Sequence, residues 1–509
     1  MKRVLVLHGL SSHMRQTTFE FAMSFRRYAP SDCQVQYHNI RNPELPASLS
    51  EGFDALIMTY DILGLRSSIQ WEWVVETTEK IQTGCDRLLA FPQDDYTCNK
   101  ILDEGLNVLN ADVIYTPIEN GHEIVYPTMS NRAEIRQVLT GYVDTAAAEK
   151  YLSSWIPMEE RTIDVGTRVR LLSPWLGRSG QRKGFFAEKF HHLAESVGMI
   201  SDISTKDEDV FFGEEWYEFL GSCRTTIAQK GGASLCDPDG SLMETVKGFL
   251  EENPEASFEE IEQSCFPNQD GLAEMSAISP RIFDAAMVGA AQILVEGDYL
   301  GVLEPWQHYI PTDPEISNIE EILDIIRQPM ALKQIADNAA EVLIREERFT
   351  YKQFVEDIFN ESVFESGRRR IPVDRSLAEK IQWRVTPEMF EGLQHLLYLA
   401  RATDSIEELS NFLNEVVKLV DSHPEVISHL DEKFLRTLLN WHPIHPVLDN
   451  ISGPITDLLR ECTQHGAIDL YASFSAIATQ KNLSDWHFLE WTEADQIELM
   501  IAGEPLHSK

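Results

Sequence analysis

The stretch GRSGQRKG, residues 177–184, sets Arg178, Arg182 and Lys183 among three glycines. It follows a predicted strand and opens a predicted helix. Gly177 and Gly180 allow a tight turn and close approach of the backbone. Arg178 and Lys183 would then flank a helix N-terminus, where free amides and the helix dipole favour anions. Bases added there suit a pyrophosphate, whose charge grows as it departs from a reacting carbon. On these residues alone, a loop of solvent-facing bases is the competing reading.

A second stretch, SPRIFDAAMVGA at 279–290, places Arg281 and Asp284 three positions apart on an otherwise apolar helix. Ser279 can cap it, and Pro280 suits its first turn. A carboxylate near that start could accept from two sugar hydroxyls. The same spacing also allows a plain Arg281–Asp284 pair. CDPDG at 236–240 contains D-x-D, yet it reads as a turn capping the following helix rather than as a metal site. No metal ligands and no cofactor are expected. The P-loop, G-x-G-x-x-G, H-E-x-x-H and G-x-S-x-G patterns do not occur.

The elements that must position these groups alternate along the chain. KRVLVLHG, CQVQYHNI, FDALIMTYDIL, DRLLAFPQ and ADVIYTPI read as strands over residues 1–150, with helical spacing between them. Such a rhythm predicts a doubly wound parallel sheet with ligands at the carboxyl ends of its strands. Asp94 and Asp95 stand there, after DRLLAFPQ. Residues 145–160 read as a helical connector. A second α/β region spans 151–362 and ends in amphipathic closing helices. Within it, EENPEASFEEIE carries six acids and no base and reads as a solvated helix face. From 375 to 509 the pattern is helical only, an appendage that could mediate protein contacts or oligomerisation.

Composition bounds the function. The chain has 509 residues, 43% of them hydrophobic and 25% charged, and a formal charge of −39. That charge argues against general binding to nucleic acid or anionic membranes. Yet Arg161 to Lys189 holds seven bases and two acids, which points to an anion site. Seven dispersed cysteines fit reduced thiols and a cytoplasmic location. No signal peptide and no membrane-spanning run is expected.

GR-x-x-x-x-KG, followed about a hundred residues later by a carboxylate, four residues and a glycine, resembles group 1 glycosyltransferases of the two-Rossmann-domain (GT-B) type. TIDVGTRVR, DISTKDEDVFFGEEWYEFL, GGASLCDPDG and EGDYLGVLEPWQHYIP resemble the bacterial spore-maturation and cell-surface polysaccharide subgroup. The resemblance covers residues 1 to 362. It implies an α/β fold of two Rossmann-like domains facing a cleft, with the helical region appended. It further implies transfer of a sugar from a nucleotide-diphosphate donor to an acceptor hydroxyl, without metal, in cell-surface glycoconjugate synthesis. Arg178 and Lys183 match the diphosphate pair, and Asp284 matches the ribose-binding glutamate with Arg281 beside it. Gly232, Ser234, His308 and Tyr309 fall in segments that would complete the donor pocket. Asp94 or Asp95 would act on the acceptor, which could be a glycan, a lipid-linked sugar or a protein. Three positions depart from the family pattern: aspartate replaces glutamate at 284, and Ser276 and Lys230 stand where relatives carry acids. A nucleotide-sugar epimerase or phosphorylase on the same fold, and a non-catalytic nucleotide-sugar scaffold, are the alternative readings.

Overall fold

A computed structural model of the chain describes residues 1–363 apart from 10–15, 41–48, 50, 69, 212 and 273. The expected helical region at 375–509 lies outside the described residues. The first α/β half is a six-stranded sheet of β1 (Lys2–His8), β2 (Cys33–Asn39), β3 (Phe53–Met58), β4 (Cys85–Ala90), β5 (Val113–Thr116) and β6 (Glu134–Gln137), in the order β2-β1-β3-β4-β5-β6. The β1–β3, β3–β4, β4–β5 and β5–β6 pairings are parallel. Val4, Leu5, Val6 and Leu7 are all fully buried. A strand covered on both faces demands such an unbroken apolar run. FDALIMTYDIL was expected as one strand, but β3 stops at Met58 and Tyr60–Leu63 turns into a short helix.

The second half comprises β7 (Ile163–Arg168), β8 (Ser201–Ser204), β9 (Cys223–Ala228), β10 (Gly231–Ala233), β11 (Met275–Ala277), β12 (Ala291–Val295) and β13 (Ile310–Thr312). Five of these make a parallel sheet in the order β13-β12-β9-β7-β8. The fold expected from the β-α-β rhythm is therefore present: two Rossmann-like halves, both within one compact unit. The helix Gly177–Ser196 lies on the second sheet and buries Phe186, Ala187, Phe190 and Ala194, one face at helical spacing.

β10 and β11 form a separate antiparallel ribbon. Gly232 makes it possible. Its φ is +136°, and a Cβ there would stand 1.9 Å from the Met275 carbonyl oxygen. No other residue fits so close an approach.

The closing helix Tyr351–Ile358 crosses back to the first half. Phe354 stacks on Tyr142 at 4.3 Å and meets Phe25 and Phe91 at 5.8 and 6.0 Å. The Tyr115 hydroxyl and Ser362 Oγ are 2.5 Å apart. The last closing segment thus packs on the sheet that the chain built first. Among the described residues, no helix is long and apolar enough to cross a membrane.

Candidate active site

The loop after β4 is built around a buried arginine. Arg66 Nε donates to the Thr97 carbonyl at 2.8 Å, and its Nη atoms donate to the carbonyls of Leu63, Gln93 and Asp94 at 2.9, 3.0 and 2.6 Å. One rigid fork so fixes the whole turn. Asp94 is held in the left-handed region at φ +50°, with its side chain exposed. The Tyr96 hydroxyl donates to Asp94 Oδ1 at 2.8 Å. Asp95 is different: it is fully buried, and Oδ2 accepts from Thr116 Oγ1 at 2.5 Å and from the Tyr126 hydroxyl. Burial pushes its carboxyl upward, against those two hydrogen bonds and Arg66. Of the two aspartates, only Asp94 is exposed to a reactant.

Across from this loop, the helix beginning at Gly177 starts earlier than the sequence pattern predicts. GRSGQRKG forms its first two turns, so Arg178 and Lys183 occupy different environments. The N-terminal amides are already taken. Asp270 Oδ2 accepts from the Arg178 backbone N–H at 3.1 Å. Ser234 Oγ accepts from the Ser179 N–H at 3.1 Å and donates to Asp270 Oδ1 at 2.5 Å. Gly177 lets these groups in, since at φ +73° its missing Cβ would lie 2.4 Å from both oxygens. The Arg178 side chain reaches Glu259 at 3.1 Å and Glu262 at 2.7 Å and lies over the Phe258 ring. The acid-rich stretch read as a solvated face is thus, in part, the counter-charge of Arg178.

Lys183, one and a half turns on, has none of this. It is half-buried, its Nζ rests beside Gly231, and it makes no hydrogen bond or ion pair among the described residues. Burial, joined by neighbouring Arg281 and opposed by Asp94 of the other half, lowers its pKa to about 8. The other bases of the 161–189 stretch are committed. Arg161 donates to the carbonyls of Ile156, Cys223 and Val288. Arg168 pairs with Asp202 at 2.8 Å, Arg182 pairs with Glu274 at 2.9 Å, and Lys189 pairs with Glu315.

The helix Arg281–Met287 has no side-chain cap, so the capping role expected of Ser279 is not used. Arg281 Nη1 donates to the Arg168 carbonyl at the end of β7, and its guanidinium lies 5.2 Å from the Trp216 ring centre. Trp216 Nε1 donates to Asp284 Oδ2 at 3.0 Å, and the Tyr217 hydroxyl donates to Oδ1 at 3.2 Å. Burial raises the Asp284 carboxyl, against Trp216, Arg281 and Tyr217. Asp284 therefore ties its helix to the helix Glu214–Ser222, and Trp216 serves both members of the expected pair.

His308 and Tyr309 sit in the turn before β13. His308 Nδ1 accepts from the Glu304 N–H at 2.9 Å, and Tyr309 is fully buried in the core with Tyr299. In CDPDG, Asp237 does cap: it accepts from the N–H groups of Gly240 and Met243, both at 2.9 Å, at the start of the helix Ser241–Glu252.

The structure thus brings Arg281 and Asp94 within electrostatic reach of Lys183, which rests on Gly231, and draws Arg178, Ser234 and Asp284 into the framework. Sequence reading missed Arg66, Glu119 and Asp270.

No protein-family model matches the chain, and no curated protein matches it. Solved structures are similar in architecture. An alpha-glucosyltransferase in complex with UDP is 11% identical with a TM-score of 0.42, over 72% of this chain and 100% of its own. The T4 phage BGT in complex with its UDP-glucose substrate is 9% identical with a TM-score of 0.41, over 72% and 100%. Sucrose-phosphate synthase from Thermosynechococcus elongatus is 12% identical with a TM-score of 0.37, over 71% and 98%.

Proposed function

We propose that this chain transfers a sugar from a nucleoside-diphosphate sugar to an acceptor hydroxyl, in the cleft between its two Rossmann-like halves. The observation that carries the reading is Lys183: a half-buried ammonium with no partner among the described residues, beside a second cation and opposite an exposed carboxylate. Burying an uncompensated charge costs stability, so such a site fits an anion that arrives from outside.

Lys183 and Arg281 hold the diphosphate and stabilise the charge that grows on it as the sugar–oxygen bond breaks. Both cations are fixed before the reaction, Arg281 by the Arg168 carbonyl and Lys183 by its packing on Gly231. Asp94 accepts the hydrogen bond, and then the proton, of the attacking hydroxyl. Arg66 keeps Asp94 in place through four backbone carbonyls. Arg178 braces the helix start through its acids. Cell-surface glycoconjugate synthesis remains the setting that the resemblance implies.

The test is turnover with a panel of nucleoside-diphosphate sugars. Release of free nucleoside diphosphate only when an acceptor is added supports transfer. Tight binding of the nucleotide with no turnover on any acceptor would replace transfer with the scaffold reading.

A further inference from the structure

Lys230 and Ser276, two of the positions that depart from the family pattern, meet the same carboxylate. Glu119 follows β5 in the first half; Lys230 and Ser276 lie on the β10–β11 ribbon and its approach in the second. Lys230 Nζ donates to both Glu119 oxygens, at 2.9 and 2.8 Å. Ser276 Oγ donates to Glu119 Oε2 at 2.5 Å, and the Glu119 N–H donates to the Ser276 carbonyl at 2.9 Å. The side chains are only 26% and 17% exposed for Lys230 and Glu119, so solvent screens the pair weakly. Ser276 pairs with Gly232 across the ribbon, and Gly231, next to Lys230, is the residue on which Lys183 rests.

We propose that Glu119, Lys230 and Ser276 form a clasp that holds the two halves closed beside Lys183, and that its opening governs exchange of the nucleotide. The second clause rests on the donor-site reading above; the first does not. Four hydrogen bonds made wholly by protein groups converge on one residue of the first half. Because two of the four are to a charged amine, neutralising either end removes most of its strength. The ribbon moves as one body with its glycine, so releasing Lys230 also releases the wall behind Lys183.

The Glu119 backbone amide is a built-in reporter, since its acceptor lies on the other half. Hydrogen exchange of segment 117–121 should be measured in the full chain for the wild type, Glu119→Gln and Lys230→Met, with segment 291–295 of β12 as the folding control. The two variants sit on opposite halves, so one of them folding normally is enough. Exchange about tenfold faster at 117–121 with β12 unchanged is expected. Unchanged exchange at 117–121 in a folded variant overturns the clasp. Release of UDP should quicken by a similar factor; lost protection with unchanged release overturns the regulatory clause. A wild type that does not bind UDP sinks the donor-site reading and that clause with it, while the exchange arm still decides the clasp.

Discussion

Arg178 and Lys183 stand five residues apart on one helix, in one motif, and the fold treats them in opposite ways. Around Arg178 the chain supplies its own anions: Glu259, Glu262 and Asp270 meet the side chain, and Asp270 also occupies the helix N-terminus. Around Lys183 it supplies another cation, a glycine and, across the cleft, Asp94. Among the described residues the first region is electrostatically complete, whereas Lys183 in the second has no ion-pair partner. Incompleteness marks a place where a ligand can gain binding energy, because a satisfied charge must first give up its partners.

The largest expected effect tests the incomplete region. Lys183→Met should weaken UDP binding about 100-fold, the loss of a charge-assisted contact in a half-buried site. The same change should raise the melting temperature. The folded-state pKa of Lys183 lies near 8, below the ordinary lysine value of 10.5. Its charge therefore costs stability throughout the range below pH 8, and that cost fades as pH rises from 8 toward 10.5. Tighter folding with lost binding is the signature of a binding residue that opposes stability. Titration calorimetry and thermal melts check both halves; unchanged UDP affinity would end the contrast.

A smaller effect follows from the same pKa. UDP affinity should fall as pH climbs through about 8, approaching tenfold per unit once the free protein's ammonium deprotonates. The terminal phosphate of UDP is already ionised there, its second pKa being about 6. Lys183→Arg keeps the charge at all these pH values and should flatten the profile. A wild-type profile that stays level from pH 7 to 10 would place the diphosphate elsewhere.

What the sequence disclosed divides along the same line. Alternating apolar runs announced both sheets, because buried parallel strands leave little freedom in composition. Lys183, Arg281 and Asp94 stand out in the sequence because charged residues at strand ends and helix starts are conspicuous. The partners that decide their roles were not legible. Asp270 lies 92 residues from Arg178, Glu119 lies 111 from Lys230, and Trp216 lies 68 from Asp284. No local spacing encodes such pairs, so Arg178 and Lys183 looked equivalent. The short strands β6, β10, β11 and β13 escaped for a related reason: three or four residues carry no period, and only their partners make them strands.

The smallest effect concerns the complete region. Arg178→Ala should leave UDP affinity within about twofold of wild type, since its guanidinium is held by three carboxylates. The side chain is 55% exposed, so its ion pairs contribute at most about 1 kcal/mol, and the melting temperature should drop only slightly. Asp270→Asn should cost more, roughly 1–2 kcal/mol, because this buried carboxylate serves the helix amide and Ser234 together. Their order discriminates. If Arg178→Ala impairs UDP binding as severely as Lys183→Met, the acids must release Arg178 when the nucleotide arrives. The Asp270–Ser234 cap would then be a stand-in for the diphosphate, and Asp270→Asn should strengthen binding instead of merely softening the helix start.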